Sequence, residues 1–278
     1  MKIGITGEKG LIGSFLKQRL EKEGNEIVLT CDLRDGKNIL DLKNYTSTEK
    51  IDAMYHLAAH CKINQSISNP EYTHLVNSEG TFAVIEFCRK NNIPKVVNFS
   101  SSRVLSSERN PYTASKLYGE ELCKGYRDSY GLEYLIIRPS TVYGPMWDET
   151  KRLMHLFCVN ALEDKPLEIY GNPKTKTLDF TYVDDFVDAI ILATNNEWNK
   201  EYNISGGKEY NIYSLAEQII RKTESKSKII VKQPEIAQPQ EVSVDISAIE
   251  KLGFIPKISL EEGVDRTLDF YKKYLGKN

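Results

Sequence analysis

The chain has 278 residues, 40% of them hydrophobic, with 37 Lys/Arg against 39 Asp/Glu and a formal net charge of −2. That length buries one large α/β unit or a main domain with a smaller lobe, and the scattered charges argue against nucleic-acid or anionic-membrane partners. No apolar run reaches the roughly 18 residues of a bilayer span, and Met1-Lys2 leads straight into a strand rather than a leader peptide. Five widely spaced cysteines (Cys31, Cys61, Cys88, Cys123 and Cys158) form no CxxC and suit a reducing cytosol. His56 and His60 have no metal-like companions, so no metal site is expected. The chain reads as cytoplasmic.

In chain order, Lys2–Thr6 reads as an apolar strand and Ser14–Glu23 as a helix, with Gly7, Gly10 and Gly13 between them. Glycines there permit a tight turn, close approach of backbone N–H groups to a pyrophosphate, and close helix–strand packing. The helix N-terminus adds unpaired N–H groups and a positive dipole end. Further strands are expected at Glu26–Thr30, Ala53–Ala58, Lys95–Phe99 and Tyr134–Arg138, with helices at Glu71–Asn91 and Ser115–Ser129. Short apolar strands alternating with helices predict a doubly wound parallel (Rossmann-type) sheet in an α/β fold. Right-handed crossovers bring the glycine loop, Ala58–Cys61, Ser100–Ser102 and Pro139–Tyr143 to one sheet edge.

After Pro145 the rhythm changes. A helix is expected over Lys151–Glu163, turns over Lys165–Lys176, a strand over Asp179–Val183, and a helix over Asp184–Thr194 capped by Asp184 or Asp185. Tyr202–Ile204 and Lys228–Val231 read as strands, and helices start at Ser214 and Ser259. The loop between Pro234 and Pro239 is placed to cross the site. The expected division is a dinucleotide-binding domain over 1–145, with 177–200 returning to it, and a smaller substrate lobe from 146–176 and 201–278.

Tyr112 and Lys116 stand four apart at the start of a helix, so their side chains share a face. A phenol with an ordinary pKa near 10 is a poor base at neutral pH; a nearby lysine cation and a positive nicotinamide favour its phenolate. Ser100, Ser101 and Ser102, at the preceding strand end, offer hydroxyls to a substrate oxygen.

GxxGxxG at 7–13, HLAA at 56–59, Asn77 in VNSEGT, SSS at 100–102, YTASK at 112–116, RPSTVYGP at 138–145 and DFTYVDD at 179–185 occur in that order. In these motifs, and in YNISGG and LGFIPKISLEEG further on, the chain resembles extended short-chain dehydrogenase/reductases of the NAD-dependent epimerase/dehydratase family. The resemblance implies that Tyr112 is the acid/base at a sugar hydroxyl and that Lys116 binds the nicotinamide ribose while lowering the tyrosine pKa. It implies a catalytic serine three residues before Val104, which is Ser101, with Ser102 in reserve. Cofactor contacts are expected from the glycine loop with Lys9, Leu11 and Ile12, and from Asp32, Arg34, Asp41, Leu42, Leu57, Ala58, Ala59, Asn77, Ser100 and Pro139. Ser102, Tyr143, Lys174 and Lys176 are expected to join Tyr112 at the substrate.

NAD is the expected cofactor, since an acid at the end of the second strand accepts both ribose hydroxyls; Lys9 and Arg34 leave NADP open as a second choice. Ser102-Arg103 stands where family dehydratases carry carboxylic acids, so no residue there protonates a departing hydroxyl. Leu178 replaces the arginine that usually pairs with a sugar nucleotide's diphosphate, with Lys174 or Lys176 as possible substitutes. The favoured activity is nucleotide-sugar 4-epimerisation through a transient ketone. Alternatives are an NADPH-dependent 4-keto-sugar reductase and a non-catalytic dinucleotide-binding regulator. The resemblance further implies a homodimer through Glu71–Asn91 and Ser115–Ser129, with Leu117, Leu122 and Tyr126 as a candidate buried stripe.

Overall fold

A computed structural model describes residues 1–277. Strand β1 (Lys2–Thr6) runs through the glycine turn into α1 (Leu11–Lys22) and back to β2 (Glu26–Cys31). After 3-10 turns at Leu33–Asp35 and Ile39–Asn44 come β3 (Ala53–His56), α2 (Ile63–Ser68), α3 (Pro70–Thr73), a π-helical turn over His74–Glu79, and α4 (Gly80–Lys90). Then follow β4 (Lys95–Phe99), α5 (Pro111–Tyr130), β5 (Glu133–Pro139), β6 (Thr141–Tyr143), α6 (Leu153–Leu162), β7 (Leu167–Tyr170) and β8 (Thr177–Tyr182). The chain continues with α7 (Val183–Thr194), β9 (Lys200–Ile204), β10 (Glu209–Asn211), α8 (Ile212–Lys222), β11 (Ile229–Lys232), α9 (Ser247–Glu250) and α10 (Leu260–Tyr274).

Six parallel strands in the order β2-β1-β3-β4-β5-β9 form the main sheet. All four residues of β3 and four of the five in β4 are buried, as strands covered by helices on both faces must be. The strand order reverses between β1 and β3, which opens a crevice beyond their carboxyl ends. The doubly wound α/β class expected from the alternating pattern is therefore present.

Two elements lie elsewhere than the expected division places them. Tyr202–Ile204, assigned to the lobe, belongs to β9, which pairs with β5 as the sixth strand of the main sheet, with Tyr202 and Ile204 buried. Thr177–Tyr182, expected back in the main domain, pairs with β6 and β10 in a separate three-stranded sheet. The turn-rich segment 165–176 also hides β7, whose buried–exposed alternation and pairing with β11 make a two-stranded ribbon. Helix α7 begins without a side-chain cap; neither Asp184 nor Asp185 fills that place. Asp185 is buried and instead accepts the N–H groups of Lys257 and Ile258 at 3.0 and 2.8 Å, fastening the approach to α10.

Helix α5 is closed at both ends. Asn110 and Thr113 form a capping box, Pro111 fills the first helical position, and Gly131 ends the helix at φ +74°. Its outward face is Ala114, Tyr118, Glu121 and Gly125. Leu122 and Tyr126, two of the three residues of the expected stripe, pack on α4's core, and the Tyr126 hydroxyl donates to Glu86 at 2.9 Å.

Asp179 on β8 is 2% exposed, and burial pushes its carboxyl up to about 6 despite N–H donation from Gly206 at 3.1 Å. A carboxyl raised in the folded state holds its proton more tightly there, so folding stability declines as pH rises from about 4 through 6. Asp179→Asn should accordingly melt above wild type at pH 8, by on the order of 2 kcal/mol, with the gap closing towards pH 4. Equal melting temperatures at pH 8 would show that the carboxylate is not a burden there.

Candidate active site

The three glycines of the first turn serve different steric needs. Gly7 has φ +71°, and a Cβ there would stand 2.7 Å from the Ala58 nitrogen. A Cβ at Gly13 would stand 2.1 Å from the Gly7 carbonyl oxygen. At Gly10 it would meet only that same oxygen, at 3.3 Å, so this position is kept open rather than packed. Gly10 precedes α1 with no side-chain cap, and the N–H groups of Leu11 and Ile12 have no partner within the helix. Across the crevice, the N–H groups of Leu57 and Ala58 donate to the Thr6 carbonyl and hydroxyl, both at 3.2 Å, with Ala59 next in line. A pyrophosphate fits this cradle.

Asp32 follows β2 directly, and its carboxylate accepts the N–H groups of Lys9 and Arg34 at 3.1 and 2.9 Å. The two cations that could have served a 2′-phosphate are engaged with protein groups. Lys9 Nζ pairs with Asp35, and Arg34 donates to the Lys9 carbonyl while lying 3.8 Å from Asp32 and 3.5 Å from Glu149. Glu8, overlooked in the sequence, is 6% exposed with Oε2 unpartnered, and burial raises its carboxyl pKa. Glu8, Asp32 and Asp35 together repel a 2′-phosphate and fit the hydroxyls of NAD. Further out, Asp41 is exposed and Leu42 packs into the core that includes α4.

The residues expected to transfer protons sit at the carboxyl end of β4 and the start of α5. Ser101 Oγ accepts the Arg103 N–H at 3.2 Å, opening the 3-10 turn Ser102–Leu105. Burial pushes the Tyr112 phenol up to about 12, opposed by Ser101 and by the positive charges of Arg103 and Arg152. Lys116 donates to the Phe99 carbonyl at 2.8 Å, and burial brings its ammonium down to about 8. The cations acting on the tyrosine here are thus two arginines, neither of which the sequence motifs pointed to. Ser102 is buried beside them.

Two residues expected at the cofactor are occupied in holding the site together. Ser100 donates its hydroxyl to buried Glu120, which Arg138 clasps through Nε at 2.8 Å and through Nη2. Asn77 accepts the His60 N–H at 2.7 Å and donates to the His60 carbonyl and to Ser115 at 2.9 and 3.0 Å. It joins the loop after β3 to α5. Pro139 ends β5 and is half-buried. His56 shares hydrogen bonds with Thr6 and Thr81, and burial lowers its pKa to about 3, so it is a neutral core imidazole.

On the lobe side, Tyr143 is displaced from its expected role. It is 4% exposed, packs edge-on against Phe180 and Tyr182, and leans on Gly263, because the short strand β6 turns it into the core. Lys174 is exposed on a turn, whereas Lys176 is buried with Nζ donating to the Pro239 carbonyl at 2.8 Å. The loop over 233–240 reaches the main domain: Asn110 donates to the Ala237 carbonyl at 3.0 Å, Gln238 to Asn64 at 2.8 Å, and Asn64 to Glu235. It crosses the cleft as the prolines suggested.

Two substitutions separate fit from fold in the cradle. Gly10→Ala should leave the melting temperature of the cofactor-free protein near wild type and weaken NAD binding at least tenfold. Gly13→Ala, whose Cβ meets backbone, should lower both. Calorimetric titration and thermal melts read the two effects; unchanged NAD affinity in Gly10→Ala would remove that residue from the phosphate site.

Comparison with known proteins agrees with this geometry. Residues 3–205 match the family described as NAD dependent epimerase/dehydratase. A candidate UDP-glucose 4-epimerase of Methanocaldococcus jannaschii is 30% identical, covering 96% of this chain and 97% of the relative. A UDP-glucuronate 4-epimerase of Thermodesulfobacterium geofontis is 27% identical over 97% of this chain and 95% of its own. Among solved structures, the UDP-glucuronic acid 4-epimerase of Bacillus cereus, in complex with UDP-glucuronic acid and NAD, has a TM-score of 0.89 and 26% identity, covering 99% of this chain and 100% of that one. The chain belongs to the NAD-dependent epimerase/dehydratase family.

Proposed function

We propose that this protein inverts C4 of a nucleotide-linked sugar, using NAD that is reduced and reoxidised within one catalytic cycle. The observation that carries the reading is the convergence of Ser101, Tyr112 and Lys116, whose Nζ is fixed on the Phe99 carbonyl, at the same sheet edge as the glycine cradle. Ser102-Arg103 offers no carboxylic acid to expel a hydroxyl, which disfavours dehydration. Lys9 and Arg34 are engaged with protein groups, which disfavours the NADPH reductase alternative. The relatives named for 4-epimerisation of UDP-sugars support the same substrate class.

NAD, when bound, takes the C4 hydride and gives it back. Tyr112 Oη removes the C4 hydroxyl proton and returns it after the keto sugar has presented its other face. Ser101 Oγ holds the reacting oxygen in line with the phenol. Lys116, fixed by the Phe99 carbonyl, keeps further N–H donors for a ribose hydroxyl and adds positive charge to the pocket. The arginines near Tyr112 favour its phenolate. The lobe, with Lys174 and Lys176 as its candidate contacts, carries the nucleotide part of the substrate.

We further propose a homodimer through the face that exposes Tyr72, Leu75 and Tyr118, 43, 43 and 41% accessible. These residues lie on α3, the π-helical turn and α5, and a second copy of the same face gives a self-complementary interface. Sedimentation should return twice the chain mass of 31.7 kDa, and Tyr118→Glu should return the monomer. A monomeric wild type would refute the assembly.

Tyr112→Phe removes one oxygen and should lower turnover of UDP-sugars by about 10²–10⁴-fold, with NAD binding within a few-fold of wild type. During wild-type turnover the absorbance of reduced cofactor should stay flat. Its steady growth, or full activity in Tyr112→Phe, would sink the epimerase reading.

A further inference from the structure

Arg103 acts on Tyr112 through its charge, yet the proposed reaction leaves its hydrogen-bonding capacity unused. It begins two residues after Ser101, in the 3-10 turn that Ser101 opens, and its Nη1 is buried with no hydrogen-bond partner. Among the described residues no carboxylate lies within 4 Å of it to form an ion pair. Its electrostatic neighbours are Tyr112, then Glu235 on the crossing loop and Glu108. Lys176, also buried, lies within reach of the same field and donates to a backbone carbonyl rather than to an anion. A second cation there adds to the cost of leaving the first unpaired.

Arg103 is half-buried, and a guanidinium with one nitrogen desolvated and unpartnered is disfavoured unless something supplies the missing charge. A protein keeps such a group when a ligand brings the anion, and a planar guanidinium matches a carboxylate in a two-point hydrogen bond. Position selects which anion. Arg103 lies in the turn that Ser101 opens, and its charge acts on the Tyr112 phenol, so it borders the sugar ring rather than the nucleotide. The ring carbon adjacent to C4 carries the sugar's exocyclic carbon. An anion at that carbon is a carboxylate.

We propose that Arg103 recognises a carboxylate on the reacting ring, so that the substrate is a nucleotide-linked hexuronate rather than a neutral hexose. This rests on the C4-epimerase reading, and it makes Arg103 a specificity-determining residue for that reaction. A neutral hydroxymethyl group in the same place leaves the guanidinium desolvated and unmatched, which penalises the neutral sugar as well as favouring the acid.

Equilibrium binding to the NAD-loaded protein tests this without requiring turnover. UDP-glucuronate should bind at least tenfold tighter than UDP-glucose, and Arg103→Gln should remove that preference while leaving the affinity for UDP within threefold. Arg103→Lys should restore part of it. The Arg103→Gln protein should melt at or above the wild-type temperature, since it loses an unpaired buried charge; an arginine kept for structure would do the reverse. Equal binding of the two UDP-sugars by wild type overturns the proposal. So does a parallel loss of UDP affinity in Arg103→Gln, which would place the arginine at the diphosphate. Preferential binding of UDP-glucuronate without any C4 inversion would instead retain the anion site and refute the epimerase reading.

Discussion

The site depends on a buried ion pair that never meets the substrate. Glu120, on α5 two turns past Tyr112, is 1% exposed and is gripped by Arg138 of β5. The same carboxylate receives the Ser100 hydroxyl from β4, and Arg138 reaches on to Glu201 of β9, which Lys124 of α5 also holds at 2.8 Å. Three strands and one helix are thereby locked at a single register. Removing one partner of such a pair strands the other charge and costs about 3–5 kcal/mol. In return, the helix that carries Tyr112 and Lys116 cannot slide along the strand that carries Ser101. Proton transfer tolerates little misplacement, and the network supplies that rigidity from below the reacting groups.

Above this base, the division of labour follows the chain's path. The main sheet supplies the glycine cradle, the serine and the tyrosine; the lobe is built from strands that leave the sheet after β5 and rejoin it at β9. The chain therefore passes between the two parts three times before the final helices. Asp185 and the N–H groups of Lys257 and Ile258 add a further tie from α7 to the segment before α10. Such stitching suits a cleft whose walls must hold a sugar ring and still let it turn over.

Much of this was legible in the sequence because the main sheet is repetitive. Lys95–Phe99 is found as a strand with the bounds read from its apolar run, and Gly7 and Gly10 fall between strand and helix, whereas Gly13 lies in the first turn of α1, which begins at Leu11 rather than Ser14. The site's misplacements have specific physical causes. Ser100 and Asn77 carry groups suited to a ligand, but their partners, Glu120 and His60, come close only through tertiary packing. Tyr143 reads as a rim residue, yet a three-residue strand leaves its direction open until β8 and α10 are in place. β7 escapes detection because four residues of alternation sit among Pro, Gly and Lys. Arg103 drew notice only for the acid it replaces; its unpartnered nitrogen is visible only in three dimensions.

The loop over 233–240 gives the cleft a timescale as well as a roof. It reaches the main domain through the Asn64–Glu235, Asn64–Gln238 and Asn110–Ala237 hydrogen bonds, and these involve partly or fully solvent-accessible groups. At about 1 kcal/mol each, three such bonds hold the strap closed in all but roughly one molecule in a hundred. Under the proposed epimerisation this strap covers the keto sugar, and substrate and product exchange by opening it without any domain unfolding. The strap's modest grip sets a ratio between turning over and escaping, and that ratio separates a closed redox cycle from a leaking one.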